Sequence, residues 1–168
     1  MVKLVSIDAK NKKRGEYIRG NKKDTKEGLI KLQNTNTNKY TNQTKEEIGE
    51  YLKVARKLIN HNKYYISENK ERKKNIDFRQ KYNLNSKKRK EMLLALDVGD
   101  FCYSVDNKKD LKERLYVFAK DYKLDAYGDI ENVSMYIKMV IKELDEDEAL
   151  VVISFHEREK KIKKLFEE

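Results

Sequence analysis

Two stretches near the C-terminal end alternate apolar and polar residues with a period of two. In VSMYIKMVI, Val133, Met135, Ile137, Met139 and Ile141 fall on one face of an extended strand, and Ser134, Tyr136 and Lys138 on the other. In ALVVISFHE, beyond the acidic run KELDEDE, Val151, Ile153 and Phe155 share one face, and Val152, Ser154 and His156 the other. The pair predicts an antiparallel hairpin whose odd-numbered residues share the core. A loop centred near Asp145 sets Ser154 opposite Tyr136 and His156 opposite Ser134. LYVFAK, residues 115–120, is rich in aromatic and β-branched residues and predicts a further short strand.

Upstream the period changes to that of a helix. Thr44 followed by Glu47 is a capping box, in which hydroxyl and carboxylate satisfy orphan amide donors. Ile48, Leu52, Ala55, Leu58 and Ile59 then form one apolar stripe, ending near residues 60–62. Tyr64 to Ile66 suits a short strand, and the charged run 68–81 reads as connection. Asn85 or Ser86 caps a second helix whose Met92, Leu93 and Leu96 face the core, and which ends around Gly99. Residues 157–168 predict a short charged helix. Two helices packed on a small antiparallel sheet make an α+β fold over residues 44–168.

Composition changes the reading of what precedes this domain. The chain has 168 residues, 38% of them hydrophobic and 40% charged, which allows one modest core and an appendage. Residues 1–43 are rich in Lys, Asn, Thr and Gly, and the run NTNTNKYTNQT is too polar to offset its ordering entropy. They read as a basic, partly disordered arm. Net charge is +7 over residues 1–43, +8 over 44–95 and −5 over 96–168. The basic half calls for a polyanion, and nucleic acid fits better than a membrane surface because no basic amphipathic anchor is present. Lys87, Lys88, Arg89 and Lys90 on the second helix, with Arg114, are candidate RNA-binding cations. Cys102 is the sole cysteine, so neither a disulfide framework nor a cysteine-based metal site is expected. Nothing resembles a signal peptide or a run of ~18 apolar residues, which points to a cytoplasmic protein without a membrane segment.

The polar face of the hairpin is where chemistry is expected. Tyr136, Lys138, Ser154 and His156 share one patch, because diagonal cross-strand neighbours lie within ~7–8 Å. Cleavage of RNA through the ribose 2′-OH needs a proton acceptor, a proton donor and a cation for the phosphorane charge, and these residue types supply all three without a metal or cofactor. His156 has the one side-chain type there that ordinarily titrates near neutrality. His61 lies at a helix end, where bonding the last carbonyls is its simplest role. The four carboxylates at 145–148 read as a solvated turn. No Gly-rich phosphate loop, paired-carboxylate motif or metal-ligand spacing occurs.

The order of FRQKYNLNSKKRKEMLLALDVGDFCYSV, LYVFAKDY, VSMYIKMVI and VVISFHERE resembles the MqsR family of toxin–antitoxin ribonucleases, from about Thr44 to Glu159. Its Tyr-x-Lys falls on Tyr136 and Lys138, and its Ser-Phe-His on Ser154 to His156. The resemblance implies a RelE-like fold, endoribonuclease cleavage of messenger RNA and an antitoxin partner. It makes Tyr136 a catalytic or RNA-positioning residue and Lys138 a phosphate-binding cation, and places His156 where some members carry lysine. Tyr103 stands where the family has a lysine, and Lys120 approximates a polar position held by glutamine. A different outcome keeps the scaffold but not the chemistry: a mobile-element inhibitor that blocks a nucleic-acid-processing complex such as a CRISPR effector.

Overall fold

The computed structural model of the chain describes residues 38–167. The expected basic arm therefore lies, as far as residue 37, outside the described residues. In chain order the elements are β1 (Lys39–Tyr40), α1 (Lys45–Asn60), β2 (Tyr64–Ile66), α2 (Lys73–Lys81), α3 (Ser86–Leu94), β3 (Phe101–Asn107), β4 (Asp110–Ala126), β5 (Asp129–Leu144) and β6 (Asp147–Glu157). Single 3-10 turns precede α2 (Lys70–Arg72) and β3 (Val98–Asp100). The strands form one six-stranded sheet in the order β1-β3-β4-β5-β6-β2. Every neighbouring pair is antiparallel except β2 and β6, which run parallel. The architecture is α+β, and among the described residues no helix is long and apolar enough to cross a membrane.

α1 follows from its local sequence. The Glu47 amide donates to Thr44 Oγ1 at 3.2 Å, and the Thr44 amide donates to Glu47 Oε2 at 2.8 Å, closing the capping box. Its stripe of Ile48, Leu52, Ala55, Leu58 and Ile59 is buried. Asn85 caps α3, accepting from the Lys88 amide at 2.8 Å. Both helices and α2 pack into one core with Phe101, Phe118, Met135, Ile137 and Phe155 from the sheet.

Several expectations need correction. Residues 73–81 are a helix, not a connection. Phe78, only 5% exposed, is the sole buried apolar residue inside α2, too sparse for a sequence period, and docking onto β6 supplies what local propensity does not. The buried Asn75 fixes that docking. Its Nδ2 donates to Ser67 O at 2.7 Å and Ile153 O at 3.1 Å, and its Oδ1 accepts from the Phe155 amide at 2.9 Å.

LYVFAK is only the middle of a 17-residue strand, and β3 beside it is a strand that the sequence reading did not foresee. The C-terminal helix does not form. Residues 158–167 instead cross the sheet without helix, the Arg158 amide donating to Ser134 O and the Leu165 amide to Phe101 O, each at 2.8 Å. Phe166 packs on Phe101 and Lys164 pairs with Asp100, so the segment is tied to β3 by side chains as well.

The hairpin register differs by one pair. His156, not Ser154, lies opposite Tyr136, and Ser154 lies opposite Lys138. Below them the ladder skips Ile153, a β-bulge that resets which side chains point inward. Leu150, Val152 and Phe155 face the helices, while Val151 and Ile153 join Val105, Leu115 and Val140 in a separate cluster. Finally, the sheet begins before residue 44. Lys39 and Tyr40 pair with Val105 and Ser104, the Tyr40 hydroxyl donates to Asp106 at 2.8 Å, and Gln43 Nε2 donates to Ser104 Oγ at 2.7 Å.

Candidate active site

The face of the sheet turned away from the helices carries alternate residues of β5, including Tyr136 and Lys138, across from His156 and Ser154 of β6. The rings of Tyr136 and His156 are 5.6 Å apart between centroids and tilted by 30°. Tyr136 is half-buried. Burial pushes its pKa well up, and the neighbouring Tyr103 adds to this, so the phenol stays protonated near neutrality. Tyr103 is thus part of the same cluster, delivered by β3, with the Lys39 ammonium 4.4 Å above its ring.

His156 has a defined tautomer. Its Nδ1 lies 2.8 Å from Glu157 O, and because a carbonyl only accepts, Nδ1 carries the proton in the neutral ring. Nε2 is left as the basic nitrogen. Burial lowers the pKa of His156; the Glu157 carbonyl opposes this, and the Lys74 and Lys138 charges reinforce it. The imidazole is therefore neutral at pH 7 and able to accept a proton.

Lys138 is also half-buried and sits opposite Ser154, itself 7% exposed. Burial, then the positive charges of Arg72 and Lys108, lower its pKa. Among the described residues neither Lys138 nor the Arg72 guanidinium makes an ion pair, whereas nearby Lys142 is held by Glu113 at 2.9 Å. Lys138 and Arg72 line a groove of about 500 Å³ with an apolar floor that includes Leu115, Val151 and Ile153. Glu71, Asp106 and Asp110 also line the groove, but Glu71 pairs with Lys109 and Asp106 with Arg114. None of the three pairs with Lys138 or Arg72, which leaves these two cations to meet an anion. Arg72 was not among the residues expected from sequence; it stands in a run of Lys and Arg that no local signal separates.

Lys120 does not join this cluster. On β4 the residue paired with Tyr136 is Ala119, so Lys120, one position on, projects to the helix side. There it pairs with Asp100 at 2.7 Å and Asp97 at 3.4 Å. Burial disfavours its charge, but the two carboxylates outweigh that and raise its pKa. Its role is structural.

The RNA-binding candidates are also scattered. Lys87 and Lys88 are exposed on α3, which lies on the helix side of the sheet. Arg89 is held by Glu68 at 2.7 Å, and Lys90 donates to Asn62 Oδ1 at 3.3 Å. Arg114 stacks 3.7 Å over the Tyr40 ring and lies 3.5 Å from Asp106, locking the β1 edge. None of the five is beside Tyr136. His61 has the helix-end role its position predicts, Nδ1 lying 2.7 Å from Lys57 O. Asp147 in the acidic turn binds Lys63 at 2.6 Å. No group of His, Cys, Asp and Glu among the described residues could hold a metal ion.

No family model matches the chain, and no curated protein or solved structure does. The chemistry of the centre is read from its residues: a neutral imidazole base, a phenol that keeps its proton, and a pair of cations beside them.

Proposed function

We propose that this protein is an endoribonuclease that cleaves single-stranded RNA through its own 2′-OH, as the resemblance to MqsR-family toxins implies. One observation carries the reading: His156, its tautomer fixed with Nε2 basic, faces Tyr136 at 5.6 Å, and an ammonium without an ion pair, Lys138, follows on the same face of β5. His156 Nε2 takes the 2′-OH proton as the 2′-oxygen attacks phosphorus. Lys138 and Arg72 bind the phosphoryl oxygens and stabilise the charge of the phosphorane. Tyr136 gives its proton to the departing 5′-oxygen, and Tyr103 packs beside it in the same cluster. The products are a 2′,3′-cyclic phosphate and a 5′-hydroxyl, and no step needs a metal.

The test is incubation of the protein with single-stranded RNA in EDTA and analysis of the new ends. Cyclic phosphate ends should form, and Tyr136→Phe or His156→Gln should slow cleavage by about 10²–10⁴-fold, the usual worth of a positioned acid or base. Intact RNA, or full activity in both variants, overturns the proposal.

A second reading has one observation in its favour. With Lys120 committed to Asp100 and Asp97, the centre lacks the polar side chain that the family resemblance implies on β4, and Tyr103 stands where the family has a lysine. A scaffold of this kind that binds and blocks a nucleic-acid-processing complex, such as a CRISPR effector, would bind RNA or its competitor without cutting. An antitoxin partner belongs to the first reading alone.

A further inference from the structure

At the far end of the β4–β5 hairpin the chain turns through Tyr127 and Gly128. Tyr127 has φ 58° and Gly128 φ 100°, a pair of left-handed residues. Asn-Gly is the usual occupant of such a turn, because a short polar side chain tolerates the left-handed region and a bulky one is strained there. Tyr127 is also 89% exposed, so packing within the fold does not offset that strain. A residue that costs stability and buries nothing is a mark of function.

The ring of Tyr127 is one wall of a cavity of about 300 Å³ between the hairpin tip and the α2–α3 turn. Gln80, Asn83 and Lys88 line its other side. Among the described residues the side-chain amides of Gln80 and Asn83 have no hydrogen-bond partner, and the Lys88 ammonium has no ion pair. The nearby carboxylates are already committed. Asp125 accepts from the Gly128 amide at 2.6 Å, and Glu131 accepts from Tyr82 at 2.7 Å and Lys81 at 3.0 Å. An aromatic face, two unpaired amides and a lysine match the three parts of a nucleotide: a base plane to stack on, a base edge with donors and acceptors, and a phosphate.

We infer that this cavity binds one nucleobase of single-stranded RNA, stacked on Tyr127, with its edge against Gln80 and Asn83 and an adjoining phosphate near Lys88. The inference rests on the proposed RNA substrate and extends it. Tyr127 lies eight residues along β4 from Ala119, the partner of Tyr136, which is roughly 25 Å at the rise of a strand. The cavity is thus a subsite remote from the reacting phosphate, and it favours RNA long enough to reach it.

The experiment is fluorescence anisotropy in EDTA with a short labelled single-stranded RNA whose 2′-oxygens are methylated, so that it binds but cannot be cut. Tyr127→Asn should bind roughly tenfold or more weakly, given what base–aromatic stacking contributes. Its melting temperature should be unchanged or higher, because Asn suits the turn better. Tyr127→Phe, which keeps the ring, should bind like the parent. Equal binding by Tyr127→Asn overturns the subsite, and so does failure of the parent to bind. If Tyr127→Asn binds weakly while unmodified RNA is never cut, the nuclease reading fails and the subsite stands; if RNA is cut but Tyr127→Asn binds fully, the reverse holds.

Discussion

The two faces of the sheet treat their polar groups in opposite ways. On the helix side each buried charge is closed into a pair. Asp100, 4% exposed, is held between Lys120 at 2.7 Å and Lys164 at 3.1 Å, and Asn75 uses both ends of its amide. On the other side, among the described residues, Lys138 and Arg72 make no ion pair, and His156 keeps a basic nitrogen uncommitted. A half-buried charge without a partner costs stability, which on the proposed reading the RNA phosphate offsets. One strand serves both regimes. On β5, Ile137 is fully buried on the helix side, and its neighbours Tyr136 and Lys138 lie on the opposite face, Lys138 lining the groove. The packed core and the candidate centre are separated on this strand by residue parity alone.

That contrast can be broken most sharply by truncating one residue on each face. Phe155→Ala, on the helix side, should cost about 3–5 kcal/mol in urea unfolding, because it removes a buried ring from the core. Tyr136→Phe should leave unfolding nearly unchanged and remove most cleavage. If Tyr136→Phe instead unfolds the protein, the second face is core and the contrast is false.

Asn75→Ala comes next. Three backbone groups lose their partner, and each one left dry costs about 1–3 kcal/mol. Amide exchange should quicken in α2 and at Phe155 first. Uniform exchange across the domain would show that Asn75 does not hold α2 to β6.

Lys138→Met probes the unpaired charge. Its folded pKa lies below its unfolded one, so the unfolded state binds more protons between the two, and parent stability rises with pH there. The Met variant should melt at least as high as the parent at pH 7, lack that rise in alkali and lose cleavage. A large drop in its melting temperature would mean that the ammonium has a stabilising partner.

The smallest effect concerns acid. His156 has a folded pKa below the ordinary 6.5, so its contribution to stability is complete above about 6.5 and is lost as pH falls through the folded value. Cleavage should rise over the same acidic window and reach its plateau before neutrality, since the neutral ring is the base. His156→Gln should flatten both curves; an unchanged pH profile would remove His156 from the chemistry.

How much of this was legible varies with how local the cause is. α1 was readable in full, because its cap and its stripe both lie within sixteen residues. The alternation of β5 placed Tyr136 and Lys138 on a shared face. β3 escaped because Phe101, Cys102, Ser104 and Val105 are all buried, which erases alternation. The same loss at Val117, Phe118 and Ala119 hid the direction of Lys120. In ALVVISFHE the odd phase is the more apolar, but Leu150 and Val152 make the even phase apolar at its start, and the bulge at Ile153 uses both; nothing in the residues alone says where the phase changes. Arg72 becomes visible only when the turn before α2 meets β5 and β6 in space.

The parallel pairing of β2 with β6 bears on how the molecule is made. Tyr64 pairs with Leu150, 86 positions later, so β2 is synthesised long before the strand that receives it. Contacts of such separation form late and slowly, because a long loop must close before they yield anything. β6 also supplies His156, two of the backbone groups that anchor Asn75 and one wall of the groove that holds Lys138 and Arg72. No partial chain that stops short of β6 can contain the centre, however well α1 folds. On the proposed reading, an activity that attacks RNA is thereby withheld from the nascent protein while most of its own message is still being read.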